Sequence, residues 1–335
     1  MCSPFERDSE RPQDDSSHGQ CLKVGVLTNP RSGGNKKKGR AVARLLAKSP
    51  EVMHREAFEP DGICQALSDF SNQGVELLVV NGGDGTVQAI LTILGNEKKI
   101  ARPPLLSLLC AGTTSMLPRD VGVDGSPVVA LQRILKWSKS TNKDLVVQSR
   151  SILRVQRDSD TLYGMFFGAG AICEGIRIFH SKDNPMGWRG QLMPTLTILR
   201  LLLAILCNRV PPFINSTRIN GGRDEKRADL FVLTSTLDRL FLGMRPYWGT
   251  ENGPLRYTAV KTKPKYLLRV LFSLFGSGRC RLATPANGYS SHNVEEVQLD
   301  MEGDFTLDGE LYTKGKQPIT ISSAGPARFV CSSRF

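Results

Sequence analysis

The chain has 335 residues, 40% of them hydrophobic and 23% charged, enough to bury a sizeable core and more than one compact domain favours, so two domains are expected. Lys and Arg number 44 against 32 Asp and Glu, a net charge of +12, which directs attention to partners carrying phosphate: a nucleotide, a nucleic acid or an anionic lipid surface. The eight cysteines lie far apart, with no CxxC pair and no histidine at zinc-ligand spacing, which argues against a structural metal and for a reducing, cytoplasmic setting.

Residues 1–20 are polar and acid-rich without an apolar core, and are expected to form a disordered tail rather than a signal peptide. From Leu22, LKVGVLTNP reads as a short strand ending in Asn-Pro and a glycine loop, and KKKGRAVARLLAK as a helix. A second unit follows, with helix DGICQALSDFSNQG, buried-type strand VELLVV, turn NGGDG and helix TVQAILTILG. A third strand, PLLSLLC, runs into the loop AGTTS. Strands that each end in such a loop predict an α/β domain over 21–142 with an open, mostly parallel sheet, whose ligands bind beyond the carboxyl ends of the strands.

Beyond about Lys143 the texture changes to short alternating runs: LVVQSRSILRVQ, TLYGMFFGAGA, ADLFVLTSTL, LRYTAVKT, VEEVQLD, FTLDGELYT and QPITISS. A mainly antiparallel β domain is expected over 143–335, its last segment possible as a return to the first domain. Two helical candidates interrupt it. Leu192–Cys207 is apolar, but it is shorter than the roughly 20 residues of a spanning helix and holds Pro194 and Arg200. PKYLLRVLFSLFGSG is the other.

The sharpest chemical signal is Asn81-Gly82-Gly83-Asp84-Gly85-Thr86, set between a strand and a helix. Glycines let backbone approach a phosphate closely, and a helix start offers unpaired N–H groups to an anion. Asp84 makes sense there if a divalent metal lies between it and phosphate oxygens; the plainer reading is a tight Asp-Gly turn without a ligand. Asn29-Pro30-Arg31-Ser32-Gly33-Gly34, followed by Lys36, Lys37 and Lys38, offers a second phosphate loop, the lysines alternatively forming a solvated face. Gly112-Thr113-Thr114-Ser115 adds three hydroxyls. There is no GxxxxGK[ST], which removes the Walker A route to a nucleotide.

NPRSGG, NGGDGT and AGTTS, in that order at successive strand ends, resemble the catalytic domain shared by diacylglycerol, sphingosine and ceramide kinases and their bacterial relatives. FFGAGAICEG, LFLGMRPYWG and the terminal FTLDGE extend the likeness from Lys23 to near Val330. The resemblance implies a lipid kinase that uses ATP and Mg²⁺ and acts on a lipid alcohol. Its nucleotide-binding residues carry over to Asn29, Pro30, Ser32, Gly33, Gly82, Gly83, Asp84, Gly85, Thr86 and Thr113. Asp84 would meet the metal through the ATP phosphates. Glu310 is implied as the base that accepts the hydroxyl proton, with Asp308 the runner-up.

The chain departs from the family pattern at several places. Gly-Thr-x-Asn-Asp becomes Gly112-Thr113-Thr114-Ser115-Met116, and Glu174 stands for an Asp. Ala57-Phe58-Glu59 lies where many relatives place a Thr. The stretch that often holds a structural Mg²⁺ reads Glu251-Asn252-Gly253-Pro254-Leu255-Arg256, its last carboxylate replaced by a cation, so that second metal site is expected to be absent. An NAD kinase-like enzyme, whose family also uses a GGDGT loop, and a catalytically weak, nucleotide-regulated lipid-binding protein are the alternatives.

A lipid substrate implies contact with a bilayer, and Trp188, Arg189, the 192–207 segment and KTKPKYLLRVLFSLFGSGRCR are the candidates for it. The last mixes Lys261, Lys263, Lys265, Arg269, Arg279 and Arg281 with Phe272 and Phe275, the composition of an interfacial basic helix. A core helix with solvated basic flanks reads equally well. No nucleic-acid motif accompanies the charge, so an anionic membrane surface is the expected partner, met peripherally from the cytoplasmic side. The four histidines stand isolated, and the oligomeric state stays open, a homodimer included.

Overall fold

The computed structural model describes Phe5 and residues 21–96, 103–112, 115–139, 144–180, 200, 204–205, 209–240, 243–274 and 280–332. Two compact units divide the chain. The first comprises the residues up to Ile152 together with those from Ala324 onward, the second Leu153–Ser323.

The first unit is a parallel sheet with helices on both faces. Strand β1 (Val24–Thr28) lies between β2 (Met53–Glu56) and β3 (Leu77–Gly82), and β4 (Leu105–Cys110) continues beyond β3, all parallel. The strand β15 (Ile319–Ser332) re-enters here, Phe329 standing against Leu106 of β4 in parallel. Near-continuous apolar runs make β1 and β3, as a sheet buried on both faces requires.

Helix α1 (Asn35–Leu46) and helix α5 (Pro127–Lys139) cover one face. Val42, Leu46, Leu131, Ile134 and Leu135 pack with Val24, Val26, Leu77 and Val79. Helix α2 (Pro60–Asn72) opens with Pro60 in its first turn, where the missing N–H costs nothing. It buries Ile63, Ala66, Leu67 and Phe70, the three-and-four spacing of one helical face. A β-carbon on Gly25 would stand 3.2 Å from the Phe70 ring, which puts α2 on the face opposite α1. Helix α3 (Asp84–Asn96) follows β3, and the six-residue α4 (Met116–Val121) follows β4.

The second unit is built on antiparallel pairs. After the long strand β5 (Leu145–Arg157) come β6 (Asp160–Gly164), which pairs with it, β7 (Phe166–Gly170), helix α6 (Ala171–His180), β8 (Phe213–Ile219) and β9 (Glu225–Ser235). Strand β9 is the axis of the unit. One of its edges takes β8 along its first half and β7 along its second, and the other edge takes β10 (Leu255–Lys261), which pairs onward with β11 (Tyr289–Val294). Strand β12 (Glu296–Met301) joins β8 to the first part of β15. The hairpin β13 (Asp304–Leu307) and β14 (Glu310–Thr313) extends the sheet from β7. Phe167 and Phe305 stack at 5.2 Å inside a cluster with Tyr257, Leu299 and Ile321.

Thus an N-terminal α/β unit and a C-terminal antiparallel β unit, the expected fold class, are both present. The run TLYGMFFGAGA resolves into two strands, β6 and β7, rather than one. Of the two helical candidates in the second unit, PKYLLRVLFSLFGSG contains helix α7 (Leu267–Leu274), while most of 192–207 lies outside the described residues. Among the described residues no helix is long and apolar enough to cross a membrane.

Candidate active site

Three loops meet at the carboxyl ends of β1, β3 and β4, and side chains of one bond the backbone of another. The Asn29 amide donates to Thr86 Oγ1 at 2.8 Å, and its carbonyl oxygen accepts the N–H of Arg31 at 2.9 Å. Ser32 Oγ accepts the N–H of Gly83 at 3.1 Å. Asn35, the first residue of α1, donates its side-chain amide to the carbonyls of Asn29 and Asn81 at 2.8 and 2.9 Å. Gly34 N–H reaches the Ala111 carbonyl at 2.8 Å. Asn29, Ser32, Gly83 and Thr86, expected at a nucleotide, are therefore gathered in one place.

The glycines earn their positions sterically. A β-carbon at Gly112 would lie 2.8 Å from Gly83 Cα, one at Gly34 2.6 Å from the Ala111 carbonyl oxygen, and one at Gly82 2.7 Å from Thr86 Cβ. Such contacts leave room only for bare backbone, and bare backbone at the starts of α1 and α3 is what an anion needs to reach N–H groups. Gly33 and Gly85 belong to the same loops. Thr113 and Thr114 lie outside the described residues.

Asp84 is engaged with the backbone that follows the third loop. Only 7% exposed, it accepts the N–H of Met116 at 3.0 Å on one carboxylate oxygen and the N–H of Leu117 at 3.1 Å on the other. It caps the first turn of α4, where donors lack intrahelical partners and the helix dipole favours negative charge. Ser115, at φ 48°, precedes that helix in the left-handed region, and its hydroxyl accepts the Gly112 N–H at 3.1 Å. Asp84 is the one carboxylate the three loops supply among their described residues. No group of three or more metal-ligating side chains occurs among the described residues. Among the described residues this donor set does not build a protein-ligated metal site.

At the end of β2, Phe58 stands 38% exposed with the Arg31 guanidinium 3.6 Å above its ring centroid, so the position read as a departure carries a cation–π pair that steadies the first loop.

In the second unit the DGE turn separates its two acids. Asp308 (φ 50°) and Gly309 (φ 94°) form the turn between β13 and β14, the positive-φ pair that a two-residue hairpin demands. The Asp308 carboxylate is 2% exposed and accepts the N–H of Phe166 at 2.8 Å and of Met165 at 3.1 and 3.2 Å. A β-carbon at Gly164 would meet it at 2.5 Å. Glu310, two residues on, is exposed at the start of β14. Asp308 is thus the pin of the turn, and Glu310 is the exposed acid of the two.

Arg256 donates to the Leu237 carbonyl and to the Asp238 carboxylate, and lies over the Tyr247 ring at 5.3 Å. The cation read from the sequence therefore has an acidic and a carbonyl partner within its own unit. Sequence reasoning missed both this pairing and the capping by Asp84; burial at Asp84 is the signal that a linear motif does not carry.

A parallel α/β unit whose glycine loops converge at one end of its sheet defines a domain that binds its ligand on that face. Residues 23–146 match the family described as diacylglycerol kinase catalytic domain. A protein of Enterobacter sp. (strain 638) named "Probable lipid kinase YegS-like" is 28% identical over 107 residues, 32% of this chain and 36% of its own length. A protein of the same name from Stenotrophomonas maltophilia (strain K279a) is 26% identical over 110 residues, again 36% of its length. The matches thus span about a third of these relatives. The crystal structure of a diacylglycerol kinase from Bacillus anthracis str. Sterne shares the fold with a TM-score of 0.59 at 16% identity, covering 92% of this chain and 96% of that one.

Proposed function

We propose that the chain transfers the γ-phosphate of ATP to the hydroxyl of a lipid alcohol such as diacylglycerol. The observation that carries this reading is the knot of glycine loops in the first unit, where the backbone of Gly83 leaves no room for a side chain at Gly112. Backbone N–H groups at the starts of α1 and α3 would take the phosphate oxygens, with Asn29, Ser32 and Thr86 holding the loops that present them.

In the transfer, the lipid hydroxyl oxygen bonds to the γ-phosphorus while the bond from that phosphorus to the bridging oxygen of ADP breaks. The hydroxyl proton passes to the Glu310 carboxylate. Charge develops on the phosphoryl oxygens, so N–H groups fixed before reaction stabilise it without reorganising. Mg²⁺ carried by the nucleotide would supply countercharge; the residues present do not ligate it as a protein site, and no step is assigned to it. Asp84 acts through the loop, by holding the start of α4 against β3.

The test is transfer of labelled γ-phosphate from Mg·ATP to a panel of lipids in mixed micelles, with NAD as a soluble acceptor and Glu310→Gln alongside. Label in a lipid, lost in the variant, supports the reading. Label in NAD alone would replace it with a soluble-acceptor kinase, and nucleotide binding without label in any acceptor would replace it with a regulatory lipid-binding protein.

A further inference from the structure

Between Asn252 and Val294 the sequence holds seven Lys and Arg and not one Asp or Glu, in a chain where the two signs otherwise intermix. Helix α7 stands in the middle of this stretch. Its inner side is committed to the second unit, Val270 and Leu274 being buried, and Val270 joins a cluster with Ala171, Leu230, Val260, Ala283 and Tyr289. The Tyr289 hydroxyl donates to the Lys265 carbonyl at 2.8 Å, and Lys265 N–H donates to the Asn287 carbonyl at 3.0 Å, so the lead-in to the helix is tied down too.

The outer side is apolar where water meets it. Leu268 and Phe272, four residues apart and therefore on one helical face, are 43% and 74% exposed, and Tyr266 just before the helix is 51% exposed. Lys263, Lys265 and Arg269 are exposed beside them, and among the described residues none of the three forms an ion pair. An exposed Phe on a fixed helix has a hydrophobic gain available only from an outside partner. Cations without acids nearby favour a partner of negative charge. A second copy of this chain is disfavoured, since face-to-face contact would bring the same cations together.

We propose that the face formed by Tyr266, Leu268 and Phe272 with Lys263, Lys265 and Arg269 docks on an anionic bilayer surface. The apolar side chains enter the boundary between headgroups and acyl chains, and the cations rest at the phosphate level, as in interfacial amphipathic helices. The inner face, already packed, keeps the helix parallel to the unit's surface and stops it from inserting further.

The experiment is flotation of the full chain with vesicles of phosphatidylcholine alone and of phosphatidylcholine mixed with phosphatidylglycerol, at low and high salt, without nucleotide. Binding is expected to the anionic vesicles and to weaken with salt. Phe272→Ser is expected to lower the partition coefficient about tenfold, from the lost burial of one aromatic side chain. The double variant Lys263→Gln and Lys265→Gln is expected to lower it about thirtyfold, at roughly one basic contact's worth each. These side chains are exposed, so circular dichroism should match the parent chain. Equal binding to both vesicle types, parent-like binding of both variants, or no binding at all would overturn the proposal. So would a dimer in sedimentation that Phe272→Ser dissolves, which would make the face a contact between copies. Because no turnover is read, a chain that docks but transfers no phosphate leaves this assignment standing while removing the kinase reading.

Discussion

Replacing Asp308 by Ala removes the acceptor of two buried backbone donors, the N–H groups of Met165 and Phe166. Each buried donor left without a partner costs about 1–3 kcal/mol. Ala also sits poorly at φ 50°, which adds roughly 1 kcal/mol. The sum is about 3–7 kcal/mol, and Asp308→Asn, which keeps one oxygen and tolerates the left-handed turn, should lose about half of that. For domains of this size a loss of 4 kcal/mol lowers Tm by about 10 °C. Urea unfolding followed by circular dichroism measures the loss directly, provided the m value is unchanged. Glu310→Gln, at an exposed site, should stay within about 0.5 kcal/mol of the parent chain. Its phosphate transfer should nevertheless fall by about a hundredfold or more, the usual share of a general base. A loss below about 1 kcal/mol for Asp308→Ala would refute the assignment of Asp308 as the pin of the turn. Parent-like turnover in Glu310→Gln would remove Glu310 from the chemistry.

Four other outcomes follow from the geometry. Asp84→Ala uncovers the N–H groups of Met116 and Leu117 and should cost about 2–4 kcal/mol in urea unfolding, whereas Asp84→Asn, retaining one acceptor, should cost about half. Gly112→Ala drives a methyl to 2.8 Å from Gly83 Cα, so nucleotide affinity measured by calorimetry should fall at least tenfold while the second unit's unfolding is unchanged. Arg256→Ala gives up the Leu237 carbonyl and a partly exposed pair with Asp238, a thermal-shift loss of about 1 kcal/mol. Glu251, hydrogen-bonded by His292 and the Asn293 N–H, has its pKa drawn down from 4.5 to about 2. Because the folded value is the lower one, this stabilisation is present above pH 4.5 and lost as pH falls from 4.5 toward 2. Both side chains of the pair are near half exposed, so the difference between the parent chain and Glu251→Gln should stay under about 1 kcal/mol at neutral pH and close over that window in an acid titration.

The fold was legible where period and punctuation agree. Apolar runs ending in NPRSGG, NGGDG and AGTTS marked β1, β3 and β4, and a strand end followed by glycine is as much a sequence property as a structural one. Strand β2 was not legible: MHRE has neither alternation nor an apolar run, and it is a strand because the edge of β1 offers unpaired backbone groups. Strand β8, FINSTRI, and strand β11, YSSHNV, are mostly polar and take their pairing from β9 and β10. Helix α5 is a different case. Ala130, Leu131, Ile134, Leu135 and Ser138 form a clear helical stripe, so its signal was present in PVVALQRILKWSK.

The site was legible as a set of loops and not as a set of roles, and the reason is physical. A carboxylate beside glycines reads the same in a string of letters whether it faces a ligand or the backbone, because what separates the cases is desolvation and the direction of nearby N–H groups. Asp84 and Asp308 both resolve the same way: each is almost wholly buried, and each answers donors of a segment distant in sequence. Their negative charge is spent on holding backbone in place. Among their described residues the three loops then present no exposed carboxylate, and Arg31 belongs to the first of them. In the second unit Glu310 is exposed, and the proposed transfer assigns it the hydroxyl proton. Two buried acids that hold backbone and an exposed acid at the hairpin are the parts the proposed phosphoryl transfer calls on, since positioning and electrostatics supply most of such a rate and a base has only one proton to accept.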